Sequence, residues 1–267
     1  MTSIKELSNL TNRRALITGA CGGLGRIFAD TLAELGANLI LVDLPGSEFT
    51  SMSHELSNKW KISVEHFECD LAIQDQRINL ISNLKETLPN LSILINNAAL
   101  VGTSDLKGWI DSFEEQSVDT WRQALEVNLT AVFELCQGFL PLLKKGAGAN
   151  IVNITSMYGL HGPDWNLYKD TKLGNPAAYT TSKSGLIGLT RWLATALAPE
   201  VRVNSIAPGG IYRDQPEVFV NRYSKKTPLG RMGKEDDFRG VIAYLASDLS
   251  KYVTGQVLSI DGGWNIK

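Results

Sequence analysis

Ala15-Leu16-Ile17-Thr18-Gly19-Ala20-Cys21-Gly22-Gly23-Leu24-Gly25 is the stretch on which the reading of the fold turns. Its first four residues form a short apolar strand, a glycine-rich turn follows, and residues 24–35 carry helical spacing that ends at Gly36, a natural left-handed C-cap. A strand, a glycine turn and a helix in that order let backbone approach a pyrophosphate, while the helix N-terminus supplies free N–H groups and positive potential. Such turns also occur for packing alone. Asp43 argues against that reading: it closes a second strand at 37–43, eighteen residues past Gly25. There an acid accepts hydrogen bonds from an adenosine ribose and repels a 2′-phosphate. The expected cofactor is therefore NAD, with NADP disfavoured by Asp43.

Outward from this stretch, β-rich apolar runs alternate with amphipathic helices along almost the whole chain. Strands are expected at 15–18, 37–43, 64–69, 91–95, 149–154, 201–206 and 256–260. Six helices interleave with them, five traceable at 24–35, 74–88, 118–135, 177–197 and 235–245. This pattern predicts an α/β fold: a Rossmann-type, doubly wound parallel sheet in a three-layer sandwich. No repeat, low-complexity tract or linker divides the chain, so residues 1–267 are expected to form a single domain. Two segments, 157–175 and 211–231, fit the alternation poorly, and both follow the C-terminal end of a strand, where open α/β sheets place their ligands.

Composition excludes other classes. The 267 residues carry a net charge of −2 and are 43% hydrophobic, an ordinary globular balance and not the basic one of a nucleic-acid binder. Cys21, Cys69 and Cys136 are odd in number with no CxxC pair, as reduced thiols would be. The N-terminal residues lack a signal-peptide core and no run approaches a membrane span, so a cytoplasmic protein without membrane or nucleic-acid partners is expected. His54, His66 and His161 form no ligand motif, and no metal is expected.

The order of further motifs resembles the short-chain dehydrogenase/reductase family from about Arg14 to Trp264. Thr18, Gly19, Gly23 and Gly25 match its TGxxxGxG, although Gly22 also satisfies the TGxxGxxG of a longer, nucleotide-sugar-modifying branch. Chain length, Asp261-Gly262-Gly263 after the last strand and Pro208-Gly209 after the sixth favour the ordinary-length dehydrogenase branch. Asp70, followed by Leu71, resembles the residue that meets the adenine. Asn96-Asn97-Ala98-Ala99 resembles the NNAG motif beside it, with Ala99 in the glycine's place. Asn128, Ser156, Tyr179 and Lys183 fill the family's catalytic positions. Implied cofactor contacts run through Gly19, Cys21, Gly22, Gly23, Leu24, Gly25 and Asp43, then Asp70, Leu71 and Asn97 to Ala99. Tyr179, Lys183, Pro208, Gly209 and Ile211 complete them.

Tyr179 and Lys183 stand four apart on an expected helix and share a face. An ammonium beside the phenol favours the phenolate, and a shift from ~10 towards ~7 needs about 4 kcal/mol, which would make Tyr179 a general base at neutral pH. The resemblance implies that Tyr179 takes the proton of a substrate alcohol as hydride leaves for the nicotinamide, with Ser156 on the substrate oxygen. It also implies that Lys183 binds the nicotinamide ribose and that Asn128 places a relay water. Singly, each residue has a bland role in a turn or helix.

Ser156 and Tyr179 are 23 positions apart, wider than the family's usual spacing. The extra chain holds Trp165 and Tyr168, able to stack on a sugar ring, with Asp164, Lys169, Asp170 and Lys172 as hydroxyl or anion contacts. The alternative is a surface insertion or subunit contact. Segment 211–231 holds Arg213, Arg222, Lys225, Lys226 and Arg231 against Asp214 and Glu217: either a field that draws an anionic substrate or a solvated basic face. Expected substrate contacts are Ser156, Trp165, Tyr168, Tyr179 and Arg213; Arg213 stands where family members carry a nicotinamide-holding threonine. Asn175-Pro176-Ala177-Ala178-Tyr179 and 208–216 further resemble a bacterial subgroup linked to flagellin and surface-glycan sugars.

The expected function is an NAD-dependent oxidoreductase acting on a secondary alcohol or ketone of a small-molecule substrate, a sugar or sugar derivative, anionic in one reading. An idle NAD-binding regulatory protein and a nucleotide-sugar epimerase or dehydratase with retained NAD are the alternatives. A homodimer or homotetramer is expected by analogy.

Overall fold

The computed structural model describes residues 1–102 and 104–266. The elements run α1 Ile4–Ser8, β1 Arg14–Thr18, α2 Gly23–Glu34, β2 Asn38–Asp43, α3 Phe49–Trp60, β3 Val64–Glu68, α4 Gln74–Thr87 and β4 Ile93–Asn96. They continue with α5 Val118–Leu125, α6 Ala131–Leu143, β5 Asn150–Ile154, α7 Ala177–Ala196, β6 Arg202–Pro208, α8 Glu217–Lys226, α9 Arg239–Ala246 and β7 Val257–Ile260.

All seven strands join one parallel sheet in the order β3-β2-β1-β4-β5-β6-β7. The chain winds from β1 to one edge, returns to β4 beside β1, and winds to the other edge. That reversal opens a crevice at the carboxyl ends of β1 and β4, where doubly wound sheets bind ligands.

Alternate residues of each central strand feed opposite layers. Leu16, Ile40, Leu94, Ile151 and Val203 pack with Leu84, Leu135, Phe139 and Leu186 from α4, α6 and α7. Ile17, Leu39, Leu41, Ile95 and Ile206 pack on the other face with Phe28, Leu32, Phe49 and Ile242 from α2, α3 and α9. The near-continuous apolar runs of these strands follow from that two-sided burial. The three-layer sandwich read from the sequence is the observed fold.

The elements depart most from expectation in three places. The helix expected over 118–135 breaks at a π-helical turn, Glu126–Thr130, and resumes as α6 to Leu143, because Leu142 and Leu143 still have core to bury. The unplaced sixth helix is α3, whose Ser-, Asn- and His-containing sequence buries only Phe49, Met52, Ser53 and Leu56. Segment 211–231 contains α8, and Phe219 and Tyr223 join Met157, Tyr158, Leu167, Met232 and Trp264 in a satellite cluster. The long 157–175 segment is thus folded onto α8.

Buried Arg77 ties the crevice together from behind. Its guanidinium donates to the Leu71 carbonyl, to Glu134, and to Glu126 Oε1 at 2.5 Å. One side chain thereby links the 70–71 loop to the π turn.

Candidate active site

A cleft of about 750 Å³ opens at the crevice, with Gly19, Gly22, Gly23 and Leu24 along one wall. Gly19 has φ +62°, and a Cβ there would lie 2.8 Å from Ala98 Cα, so only glycine lets these two loops meet. Cys21 and Gly25 act from behind the wall. A Cβ on Gly25 would lie 2.0 Å from the Gly19 carbonyl oxygen, and the Cys21 N–H donates to Asp43 Oδ2 at 2.7 Å.

Asp43 faces the cleft at the end of β2, and its other oxygen accepts the Leu44 N–H at 2.8 Å. Asp70 and Leu71 border the same end, with Asp70 Oδ1 accepting the Ala72 N–H at 2.9 Å. Asn97, Ala98 and Ala99 continue the wall. Thr18 holds them in register: its hydroxyl accepts the Asn97 N–H at 3.0 Å and the Ala98 N–H at 3.1 Å. Asn97 Nδ2 donates in return to the Thr18 and Gly19 carbonyls, each at 2.9 Å.

On the opposite side stand Ser156, Tyr179, Lys183, Pro208, Gly209 and Ile211. α7 presents Tyr179 and Lys183 one turn apart, with Lys183 Nζ 5.9 Å from the Tyr179 ring centroid. Lys183 is 3% exposed and donates to the Ile154 carbonyl at 2.8 Å. Burial pulls its ammonium down to about 8 from 10.5. The folded value lies below the unfolded one, so burying the charge costs stability in full below pH 8, and that cost is relieved as pH rises towards 10.5.

The lowered phenol expected for Tyr179 is not what the geometry produces. Burial pushes it above its ordinary value, and Tyr168 adds to that; the Ser156 hydroxyl and the Arg213 charge pull it back. Removing a nascent phenolate from water outweighs those attractions in the free protein.

Asn128 lies beneath the cleft wall instead of in it. It is fully buried in the π turn, with Oδ1 accepting the Leu100 N–H at 2.8 Å and Nδ2 donating to the Leu100 carbonyl at 3.0 Å and to Ser182 Oγ at 3.1 Å. The widened π turn lets this side chain leave the helix sideways and bind backbone.

Of the two aromatic residues expected at the substrate, only Tyr168 borders the cleft, and its hydroxyl donates to the Tyr158 hydroxyl at 2.6 Å. Trp165 is 60% exposed and packs on the outer side of the Tyr168 ring, at 5.8 Å. The cations of 211–231 are largely paired. Arg222 meets Asp170 at 3.3 Å, Lys226 meets Asp164 at 2.8 Å, Arg231 meets Asp237 at 2.7 Å and Arg213 meets Glu235 at 3.0 Å. Asp164 and Asp170, read as ligand contacts, instead fasten the insertion to α8. Tyr158, Asn175, Phe219, Tyr223 and Met232 also line the cleft. No spacing in the sequence points to them, because α8 meets the insertion only in the folded chain.

The donor set fits a dinucleotide: side-chain-free backbone at a helix N-terminus, an oriented carboxylate at the end of β2, and polar side chains facing them across the cleft. Comparisons with known proteins agree. Residues 19–265 match the family described as enoyl-(acyl carrier protein) reductase. The chain is 32% identical over 259 residues to a 3-oxoacyl-(acyl-carrier-protein) reductase from Aquifex aeolicus, covering 95% of this chain and 98% of that protein. It is 28% identical over 259 residues to post-translational flagellin modification protein A from Campylobacter coli, covering 96% and 100%. Among solved structures, a short chain dehydrogenase from Leptospira borgpetersenii with bound NAD+ superposes with a TM-score of 0.85 at 31% identity, covering 99% and 96%. A gluconate 5-dehydrogenase from Burkholderia cenocepacia in complex with NADP and tartrate superposes with a TM-score of 0.87 at 25% identity, covering 99% and 100%. With the parallel sheet, the glycine loop and the Ser156, Tyr179 and Lys183 cluster in place, the chain belongs to the short-chain dehydrogenase/reductase family.

Proposed function

We propose that this enzyme moves a hydride between nicotinamide of NAD and the secondary alcohol or ketone of a sugar or sugar derivative. The observation that carries the reading is the convergence of Ser156, Tyr179 and Lys183 on one side of a cleft whose other end is closed by Asp43. When bound, NAD supplies the hydride acceptor. Tyr179 Oη removes the hydroxyl proton of the alcohol as its C–H electron pair departs, leaving a carbonyl; in reverse it returns that proton to the forming alcohol. Ser156 Oγ holds the substrate oxygen. Lys183, fastened to the Ile154 carbonyl, keeps positive charge next to the phenol. Asn128, bonded to the Leu100 backbone and to Ser182, holds the π turn at the foot of α7.

Two considerations support the finer parts. A 2′-phosphate would stand against the Asp43 carboxylate, and like charges about 4 Å apart cost roughly 1–4 kcal/mol across watery to protein-like surroundings. The expected result is NAD binding about tenfold or more tighter than NADP, since 1.4 kcal/mol is a factor of ten. Asp43→Ser should narrow that gap. Titration of both dinucleotides at equal salt checks this, and tighter NADP binding by wild type overturns it. A sugar-type substrate is supported by the flagellin-modifying and gluconate-oxidising relatives, and NADH formation across free, phosphorylated and nucleotide-linked sugar alcohols tests it; turnover confined to non-sugar alcohols would sink it.

The faces of α6 and α7 away from the core expose Phe133 and Trp192, at 46% and 62%. Apolar surface on the two long helices supports a homodimer or homotetramer. Sedimentation should give a multiple of 29.2 kDa, and a monomer mass would contradict this.

A further inference from the structure

We infer that Arg213 is a ligand of the cofactor's pyrophosphate and that Glu235 is the anion that holds its place in the free protein. This rests on the dinucleotide reading above and adds a residue from the far side of the cleft.

The N-terminus of α2 has no side-chain acceptor of its own. Its cap is Gly22, and no acid stands in its first turn. Free N–H groups and the helix dipole there favour an anion. In the free protein a carboxylate arrives from another element: a Cβ placed on Gly23 would lie 2.9 Å from Glu235 Oε1 and 2.8 Å from Arg213 Nη2. The guanidinium is bonded to that same oxygen, Nε to Oε1 at 3.0 Å. A cation beside the positive end of a helix is unfavourable unless an anion accompanies it, and Glu235 provides one.

Arg213 is delivered to this place by backbone. The Tyr212 N–H donates to the Gly233 carbonyl and the Gly233 N–H to the Gly210 carbonyl, both at 2.9 Å. Gln215 folds the next turn, accepting the Arg213 N–H at 2.7 Å and donating to the Ile211 carbonyl at 2.8 Å. The side chain is 49% exposed, and an ion pair at that exposure adds little stability, so little holds Arg213 to Glu235 once a stronger anion arrives. Among the described residues, Arg213 and Lys183 are the cations that border the cleft, and Lys183 is committed to the Ile154 carbonyl. Arg213 is thus the cation available to a doubly charged pyrophosphate, whose oxygens match its planar fork better than a single carboxylate oxygen does. On binding, pyrophosphate takes the position at Gly23, and Arg213 exchanges Glu235 for phosphate oxygen.

Calorimetric titration of wild type, Arg213→Gln and Glu235→Gln with NAD, ADP-ribose and adenosine tests this. Arg213→Gln should weaken NAD and ADP-ribose alike by about tenfold to a hundredfold, the range of a charge-assisted hydrogen bond, and leave adenosine unchanged. Glu235→Gln should tighten NAD and ADP-ribose by removing the competing anion, which keeps the test decisive should Arg213→Gln fold poorly. A loss with NAD but not ADP-ribose would place Arg213 at the nicotinamide instead and overturn the inference. So would unchanged affinities, an equal loss of adenosine, or an effect on substrate KM alone. Wild type that binds neither NAD nor NADP would defeat the dinucleotide reading itself, and this inference with it.

Discussion

Tyr179→Phe is expected to lower turnover by about two to four orders of magnitude, the usual contribution of a positioned proton-transfer group, with NAD binding nearly intact. The substitution keeps the ring, which packs against two small apolar clusters, one with Met157 and Leu167 and one with Trp109 and Ala124, and deletes only the oxygen. Glycine loop, Asp43 and the Asn97 wall are untouched, so the loss should appear in kcat rather than in the dinucleotide titration. Since burial holds the phenol above its ordinary value, alcohol oxidation by wild type should rise as pH climbs towards about 8, over the range in which Lys183 still carries its charge. Stopped-flow or steady-state NADH formation for both proteins checks this. Retained activity in Tyr179→Phe would remove Tyr179 from the chemistry.

Gly25→Ala is expected to destabilise the protein and to abolish measurable NAD binding. The added methyl would stand 2.0 Å from the Gly19 carbonyl oxygen and 2.8 Å from Ala20 Cα. Both are backbone atoms that no rotamer change can move aside, so the turn joining β1 to α2 must shift as a unit. Overpacking of this kind costs about 1–3 kcal/mol, or a fall in Tm of roughly 2–10 °C at this chain length. The same shift moves Gly19 off Ala98 and reshapes the wall that a pyrophosphate would meet. Gly240→Ala on α9 is the control. Nothing lies within 4 Å of its added methyl, and alanine is the better helix former by about 1 kcal/mol. Thermal melting with and without NAD distinguishes the two; a Gly25→Ala protein that melts and binds like wild type would overturn the packing argument.

The long apolar strands at the centre of the sheet were legible because burial on both faces leaves little room for alternation, while the partly exposed edge strands β3 and β7 read as short β-rich runs between helices. Weakly amphipathic elements were harder. α3 has four buried residues among polar ones, and α8 is rich in charge; each is a helix because a tertiary partner covers its short apolar face. The π turn at Glu126–Thr130 likewise has no local signature, since Asn128 is drawn into it by the Leu100 backbone.

The site divides along the same line. Gly19, Gly25, Asp43, Ser156, Tyr179 and Lys183 each sit at a strand end or on one helix face, so local sequence located them, while the resemblance to the family supplied the roles of Ser156, Tyr179 and Lys183. Tyr158, Phe219 and Tyr223, the withdrawal of Trp165 to the surface and the pairing of Asp164 and Asp170 with Lys226 and Arg222 were decided only when the insertion folded onto α8. So was the meeting of Arg213 with Glu235 over Gly23. Those contacts join segments far apart in the chain through side-chain charge and shape, and local sequence carries no record of which distant partner will neutralise a given charge.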